Sequence, residues 1–329
     1  MAPRFNPKSD LVDLKGQVII VTGANRPWGL GYSTVKHLVS AGAKVYIAAR
    51  NEQQSLESIE KLKADLRLGE DERSAGEVHF LKLDLADPRN AKKVAEEFLM
   101  KESRLDVLVN NAAMVFAPYE KTNDGISKIV VTNLISPFVF TKTLLPLMAK
   151  TAQEKGSDVR IVNISSLSHK FVPNIKELKK PEDLNQDFRR RPLAKFTRYA
   201  HTKTLIIIWT RALHQHLKSL SSTMPGVERV VTMAIDPGNI DTFSNRWPLP
   251  WLWRPLVRLL MSAPNVDVGA YPTVFAAAGK KIHEDPERYS GVYLDVKMKV
   301  ANPSRNARSD KLAEELWTLV EGITNDIGV

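Results

Sequence analysis

The chain has 329 residues, of which 43% are hydrophobic and 26% are charged, and this composition is typical of a water-soluble globular protein with a sizeable core. Because it contains no cysteine, disulfides, thiolate nucleophiles and thiolate metal sites are excluded. The formal net charge is +10, but Lys and Arg are scattered and the densest cluster, Arg189–Arg191, is short, which argues against nucleic-acid binding.

Strands and helices alternate along the chain. Strands are predicted at about residues 17–21, 44–49, 78–83, 106–109, 159–164, 229–235 and 291–295. Helices are predicted at about residues 30–40, 52–68, 88–101, 124–150, 196–217, 266–280 and 309–325. Repeated strand–helix units of this length predict an α/β fold with a parallel sheet that is covered on both faces.

Two segments interrupt this rhythm. Residues 168–198 are rich in proline and charge, and residues 243–264 contain Trp247, Trp251 and Trp253 among several leucines. Long irregular segments in a compact domain are commonly functional, so we expect residues 168–198 to lie over a site. No repeat or linker divides the chain, and we predict a single domain over residues 1–329 with a core at about 14–295 and a C-terminal helix at 309–325.

A glycine-containing loop, Thr22-Gly23-Ala24-Asn25-Arg26-Pro27-Trp28-Gly29-Leu30-Gly31, joins the first strand to the first helix. In that position, glycines let the backbone approach a pyrophosphate, and the helix N-terminus supplies N–H groups. The loop therefore predicts dinucleotide binding and a Rossmann-type doubly wound sheet.

The end of the second strand indicates which dinucleotide is bound. An acidic residue there would bind the ribose hydroxyls of NAD, whereas this chain has Arg50, with Arg26 also available in the loop. A guanidinium suits a phosphate dianion, so NADP(H) is favoured over NAD. The alternative is that Arg50 ends the strand in solvent.

Tyr199 and Lys203 are four residues apart in a predicted helix, which places a phenol and an ammonium on one face. A nearby cation stabilises the phenolate and lowers the phenol pKa, so the pair can form a general acid. Alone, the same spacing is typical of a half-buried ring beside a solvated lysine.

With these motifs in order, residues 14–295 resemble the short-chain dehydrogenase/reductase family, and within it retinol-dehydrogenase-type reductases, particularly fungal members. Asn110-Asn111-Ala112-Ala113 is similar to the family's Asn-Asn-Ala-Gly turn. The resemblance implies a catalytic set of Asn133, Ser166, Tyr199 and Lys203. It also implies cofactor contacts at Gly23, Asn25, Arg26, Gly29, Leu30, Arg50, Asp84, Leu85, Asn111, Ala112, Tyr199, Lys203, Pro237, Gly238, Ile240 and Thr242.

The resemblance further implies a division of labour. Tyr199 exchanges a proton with the substrate oxygen while the nicotinamide exchanges hydride with carbon. Lys203 lowers the phenol pKa and binds the nicotinamide ribose, and Ser166 orients the substrate oxygen. Asn133 supports a proton path to solvent. The neighbouring Ser165 is nearly equivalent, and Ser166 is chosen because family members usually use the second serine.

Two departures from the family pattern stand out. Five residues separate Gly23 from Gly29 where three are commonest, and Pro27 removes one amide donor, so the phosphate contacts differ in detail. Ala113 replaces the usual glycine, a change of one methyl group that we expect to be tolerated.

The resemblance implies a substrate lid after the Pro237-Gly238 turn, at residues 243–264, in addition to the segment 168–198. Aromatic and aliphatic residues at a pocket mouth favour a bulky, lipophilic carbonyl or alcohol substrate. We therefore predict substrate contacts at His169, Trp247, Trp251 and Trp253. Two alternatives remain for the tryptophan segment: ordinary packing on the core, and contact with a membrane surface, because arginines interleave with the tryptophans. His169 also fits a solvated loop.

The predicted activity is that of an NADPH-dependent carbonyl reductase or alcohol dehydrogenase, for which secondary metabolism is one setting. The rival hypothesis is a non-catalytic NADP-sensing protein. The N-terminus lacks the apolar core of a signal peptide, so a cytoplasmic location is expected. The histidines show no ligand spacing, so no metal is expected. Self-association into a homo-oligomer is left open.

Overall fold

Seven parallel strands form one sheet in the order β3-β2-β1-β4-β5-β6-β7. This computed structural model describes residues 5–67, 76–238 and 266–329. The strands are β1 (Val18–Thr22), β2 (Lys44–Ala49), β3 (Glu77–Lys82), β4 (Val107–Asn110), β5 (Arg160–Ile164), β6 (Val231–Ile235) and β7 (Val292–Leu294). The strand order reverses direction between β1 and β4, which is where ligands bind in doubly wound sheets. The predicted α/β fold is confirmed.

Within the described ranges, seven longer helices accompany the sheet: α1 (Leu30–Ser40), α2 (Glu52–Leu66), α3 (Pro88–Lys101), α4 (Lys128–Ala152), α5 (Ala194–Ser219), α6 (Tyr271–Ala278) and α7 (Asp310–Asp326). Short helices lie at Leu167–Phe171, Pro181–Leu184, Leu220–Ser222, Val227–Arg229, Val266–Gly269, Lys280–Glu284, Pro286–Tyr289 and Asn306–Arg308.

Two predicted helices differ from the observed ones. The helix predicted from residue 124 begins at Lys128, because Thr122 N–H donates to Ile126 O at 2.8 Å and closes a turn first. The helix predicted over 266–280 is broken near Ala270 and Gly279 into shorter pieces. A Cβ at Gly279 would lie 2.6 Å from Phe275 O, so this position requires glycine.

Apolar side chains cover both faces of the sheet. All five residues of β1 are buried, as in a central strand with a layer on each side. One apolar cluster contains α3, α4, α5 and α7, and the other contains α1 and α6. Helix α7 closes the first cluster: its Trp317 ring lies 4.9 Å from the ring of Phe138 and stacks at 4.1 Å on His216 of α5.

Among the described residues, α4 is the one helix with the length and hydropathy of a membrane span. Its most apolar window has a mean hydropathy of 1.4, and 78% of that window is buried inside the fold. Burial in the sheet's helical layer explains that hydropathy, since a helix covered on most sides is apolar on most sides.

Candidate active site

The loop after β1 contacts the turn after β4. Gly23 has a φ of +69°, and a Cβ there would lie 2.8 Å from Cα of Ala112. At Gly31, a Cβ would lie 2.6 Å from Nδ2 of Asn111. Both positions therefore require glycine, and the backbone of the loop is open to close approach.

Helix α1 begins after Gly29 without a side-chain cap. Its first-turn N–H groups are therefore not satisfied by a capping side chain, and an anion at this helix end can accept from them. The glycine loop, which allows close backbone approach, and the uncapped start of α1, which offers N–H donors, together form a suitable site for the pyrophosphate of a nicotinamide dinucleotide.

Thr22, at the end of β1, is hydrogen-bonded to the turn after β4. Its Oγ1 accepts from the N–H groups of Asn111 and Ala112 at 3.0 and 2.9 Å. Asn111 Nδ2 donates to Thr22 O at 2.7 Å. The two turns that were predicted to hold the cofactor are thus hydrogen-bonded to each other.

Four further predicted cofactor residues, Asn25, Arg26, Asp84 and Leu85, lie on the β2 and β3 side of the same edge. Asn25 Nδ2 donates to Gln54 Oε1 at 2.6 Å, which ties the loop to α2. Arg26 is exposed, and its carbonyl accepts from Gly29 N–H at 2.8 Å. Asp84 N–H donates to Asn90 Oδ1 at 2.8 Å, and the following Leu85 is buried.

Arg50 is exposed where β2 ends. Residues 48–51 contain no acidic side chain. Glu52, the next acidic residue, pairs with Lys82 at 3.2 Å. The strand end therefore presents a guanidinium to solvent and to any ligand bound along this edge.

Ser166, Tyr199 and Lys203 meet at the carboxyl end of β5. Ser166 follows β5 with extended backbone, and α5 carries the other two. Lys203 Nζ donates to Ile164 O at 2.6 Å and lies 5.5 Å from the centroid of the Tyr199 ring. The four-residue spacing does place both groups on one side of the helix.

Burial changes the protonation of this pair. It raises the pKa of Tyr199 to about 12, while a hydrogen bond with Ser166 acts in the opposite direction. It lowers the pKa of Lys203 to about 7. Both shifts arise because an ionised group loses its water, so the neutral phenol and a readily neutralised lysine are the favoured forms. The sequence predicted that Lys203 lowers the phenol pKa. In this structure desolvation has the larger effect and raises it.

Ser165 and Ser166 have different surroundings. Ser165 is buried, and its Oγ donates to Lys203 O at 2.8 Å, which anchors α5 to β5. Ser166 is half-buried and accepts from Ser168 N–H at 3.2 Å, and its hydroxyl acts to lower the pKa of Tyr199. Of the two serines, Ser166 is therefore the one whose side chain is partly accessible beside the phenol.

Asn133 lies in a π-helical turn, Val131–Ile135, within α4. Its side chain accepts from Met114 N–H at 2.7 Å and donates to Met114 O and to Thr202 Oγ1, both at 3.0 Å. Thr202 Oγ1 in turn donates to Tyr199 O at 2.8 Å. Asn133 thus joins the turn after β4, α4 and the helix of the Tyr–Lys pair.

Pro237 and Gly238 follow β6, where Gly238 has a φ of +84°. The predicted contacts Ile240, Thr242, Trp247, Trp251 and Trp253, and with them the segment 243–264, lie outside the described residues. The segment 168–198 is described, and it contains two short helices.

His169 is buried beneath the turn that carries Ser166. Its Nδ1 lies 2.7 Å from Ser166 O, and its ring lies 4.8 Å from that of Tyr293. Burial lowers its pKa. The solvated loop considered for this residue is therefore not observed, and the side chain supports the Ser166 turn.

Sequence reasoning missed two aromatic residues near the phenol, Phe116 and Phe196. The Phe116 ring lies 5.7 Å from that of Tyr199 and 6.2 Å from that of Phe196, and Phe171 lies 6.0 Å from Phe196. Phe116 and Phe171 are 44% and 65% exposed, so apolar surface faces outward beside Tyr199. Phe196 precedes Tyr199 by three residues, a helical spacing from which this neighbour could have been found.

Comparison of the sequence with known proteins identifies its family. A family model described as short chain dehydrogenase matches residues 17–176. A short-chain dehydrogenase/reductase of Armillaria gallica is 36% identical over 323 residues, covering 97% of this chain and 96% of that protein. The chain belongs to the short-chain dehydrogenase/reductase family. Retinol dehydrogenase 12 of Mus musculus is 30% identical over 310 residues, covering 94% and 86% of the two chains.

Solved structures share the fold of this short-chain dehydrogenase/reductase. A protein of Mycobacterium paratuberculosis aligns with a TM-score of 0.70 at 24% identity and covers 98% of each chain. The NADPH-bound carbonyl reductase from chicken fatty liver aligns with a TM-score of 0.55 at 21% identity, covering 88% of this chain and 99% of that one. At these identities the likeness concerns the fold. The predicted retinol-dehydrogenase-like family and Rossmann-type sheet are confirmed.

Proposed function

We propose that this oxidoreductase is an NADPH-dependent carbonyl reductase, or alcohol dehydrogenase in the reverse direction, that acts on a bulky lipophilic aldehyde or ketone. The observation that carries the proposal is the meeting of Tyr199, Ser166 and Lys203 at the carboxyl end of β5. This end of the sheet is also where the glycine loop approaches the turn after β4.

The residues of the chain have separate tasks. The nicotinamide, when bound, supplies hydride in reduction and accepts it in oxidation. Tyr199 donates its phenol proton to the carbonyl oxygen as the alcohol forms, and its raised pKa keeps that proton in place at neutral pH. Ser166 donates a hydrogen bond to the same oxygen, where negative charge develops.

Lys203 stabilises the phenolate that remains after transfer. Its ammonium lies 5.5 Å from the ring centroid, and desolvation strengthens the attraction between the two charges. Because burial lowers the pKa of Lys203 to about 7, the lysine can also give up a proton near neutral pH. Asn133 fixes the spacing between α4 and α5, and with it the positions of Tyr199 and Lys203 during proton transfer.

Arg50 supports the choice of NADP(H). An exposed guanidinium at the end of β2 can pair with a 2′-phosphate. We expect Arg50→Ala to weaken NADPH binding by about 10-fold or more, since a hydrogen bond to a charged group is worth about 1.5–3 kcal/mol, and to leave NADH binding nearly unchanged. Fluorescence titration measures both, and Arg229→Ala, an exposed arginine just before β6, is the matched control. Equal losses for both nucleotides would contradict this assignment.

The aromatic cluster of Phe116, Phe171 and Phe196 supports a bulky apolar substrate. Exposed rings beside a proton donor gain free energy when an apolar ligand covers them. The name of one relative also refers to retinol, a lipophilic alcohol.

A panel of aldehydes and ketones of increasing apolar size, followed by NADPH oxidation at 340 nm, tests the proposal. We expect kcat/KM to rise with apolar size, and Tyr199→Phe to lower kcat by about 10²–10⁴ while nucleotide binding persists. Tight NADPH binding without turnover of any carbonyl or alcohol would instead favour a non-catalytic NADP-sensing protein.

A further inference from the structure

Arg198, the residue before Tyr199 on α5, is a buried arginine that binds two backbone carbonyls. Its residue is 6% exposed. Its Nη1 donates to Asp187 O at 2.5 Å, and its Nη2 donates to Ala117 O at 3.0 Å. A buried guanidinium is costly unless hydrogen bonds replace its water, so the two acceptors indicate what this side chain holds in place. One acceptor lies in the segment 168–198 and the other in the loop between β4 and α4.

Each of these carbonyls stands next to a phenylalanine with left-handed backbone. Phe116 precedes Ala117 and has a φ of +52°, and Phe188 follows Asp187 and has a φ of +53°. Such a φ is unfavourable for phenylalanine and persists only where the surrounding contacts fix it. The guanidinium of Arg198 supplies one such contact to each of the two turns.

The same two phenylalanines place their rings against α5. The Phe116 ring lies 5.7 Å from that of Tyr199, and the Phe188 ring lies 5.5 Å from that of His201. Both pairs are edge-to-face, which is a favourable arrangement for aromatic rings. Arg198 therefore fastens both turns to the helix that carries the proton donor.

Asn185 connects the same two segments independently of α5. Its Nδ2 donates to Gly125 O at 2.9 Å, and its Oδ1 accepts from Ser127 N–H at 2.7 Å. Its backbone carbonyl accepts from the Tyr119 hydroxyl at 3.1 Å. The segment 168–198 is thus fixed to the loop between β4 and α4 at two places, one beside the phenol and one farther from it.

We propose that Arg198 is a positioning residue for the substrate. By holding two carbonyls, it fixes the Phe116 ring as an apolar wall beside the phenol of Tyr199. A wall that is in place before the substrate arrives binds an apolar group without the cost of ordering it. The part of this inference that concerns the substrate rests on the proposed function, whereas the connection between the two segments does not.

Arg198→Lys keeps the positive charge but loses the planar fork of donors that spans two carbonyls. We expect kcat/KM for the largest apolar carbonyls to fall by about 10-fold or more, because a displaced wall misorients the substrate. For the smallest carbonyls kcat/KM should change little. NADPH affinity should stay near the wild-type value, because the two carbonyls that Arg198 binds lie outside the glycine loop. Simple destabilisation would instead lower the turnover of all substrates alike.

Asn185→Ala breaks the connection without touching α5, and it decides the question even if Arg198→Lys fails to fold. It should produce the same size-dependent loss to a smaller extent. Arg160→Lys is the matched control, since Arg160 is also buried and donates to two carbonyls, those of Ala276 and Gly279, at 3.2 and 3.0 Å. Because Arg160 begins β5, it lies at the opposite edge of the sheet from the phenol. Its replacement should lower the free energy of unfolding and leave the dependence of kcat/KM on substrate size unchanged.

Hydrogen–deuterium exchange measures the connection without turnover. Exchange in residues 114–127 and 185–191 should accelerate in Arg198→Lys and Asn185→Ala and stay at the wild-type rate in Arg160→Lys. Wild-type exchange in these residues for both variants would overturn the inference. Faster exchange with an unchanged dependence of kcat/KM on substrate size would refute the role of Arg198 in placing the substrate. If the wild-type protein turned over no carbonyl, the proposed function would fail, and exchange would still decide whether the connection exists.

Discussion

Lys203 should make the free energy of unfolding rise with pH, and replacement by methionine should remove that rise. Burial lowers the pKa of Lys203 from 10.5 to about 7 in the folded protein. Between these values the unfolded chain holds the proton and the folded protein does not, so folding releases a proton and raising the pH favours the folded state. The free-energy cost of burying Lys203, which lowers the stability of the folded protein, is complete below about pH 7 and vanishes above about pH 10.5.

The size of the effect follows from that shift. A displacement from 10.5 to about 7 corresponds to about 5 kcal/mol of penalty at low pH. Between pH 7 and 9, the part recovered is about 2 kcal/mol by proton linkage. Lys203→Met also loses the hydrogen bond to Ile164 O, but this loss of about 1–3 kcal/mol is the same at each pH.

Urea denaturation at pH 7, 8 and 9 measures the difference between wild type and Lys203→Met. From pH 7 to pH 9, we expect the free energy of unfolding of wild type to rise by about 2 kcal/mol relative to that of the variant. Lys195→Met, at an exposed position near the start of α5, should give a difference that is flat with pH. A flat difference for Lys203→Met as well would refute the reasoning, because the lysine would then keep its proton inside the fold.

Three further substitutions test the framework of the site. Gly23→Ala should weaken NADPH binding by about 10-fold or more and lower the free energy of unfolding by about 1–3 kcal/mol. The reason is that its Cβ would meet Ala112 and that its positive φ is strained for alanine. Fluorescence titration measures the first effect and urea denaturation the second. Asn133→Ala should cost about 2–4 kcal/mol by urea denaturation, because the buried polar groups that bond its side chain lose their partner, and equal stability would contradict this. Phe138→Ala should cost about 3–5 kcal/mol and lower Tm while leaving NADPH affinity of the folded protein unchanged.

The sequence predicted the sheet and the main motifs because they depend on short-range patterns. The buried run of β1, the glycines at 23 and 31 and the pair on α5 each express a local requirement, either full burial, close backbone approach or one helical face. These requirements are visible in any window of a few residues.

The rest depended on contacts between distant segments. Ser165 and Ser166 became distinct only when Lys203 O lay beside one and Tyr199 beside the other. The phenol acidity expected from spacing was outweighed by burial, which comes from elements far along the chain.

Helix α7 has a consequence for how the protein is made. It covers the side of α5 that includes His216, and its Trp317 completes the ring contacts of Phe138. During synthesis, α5 and Phe138 emerge long before residues 310–326, so their apolar surface remains uncovered while the intervening chain is translated. Since uncovered apolar surface promotes aggregation, we expect the interval before α7 packs on α5 to be one in which chaperones bind this surface.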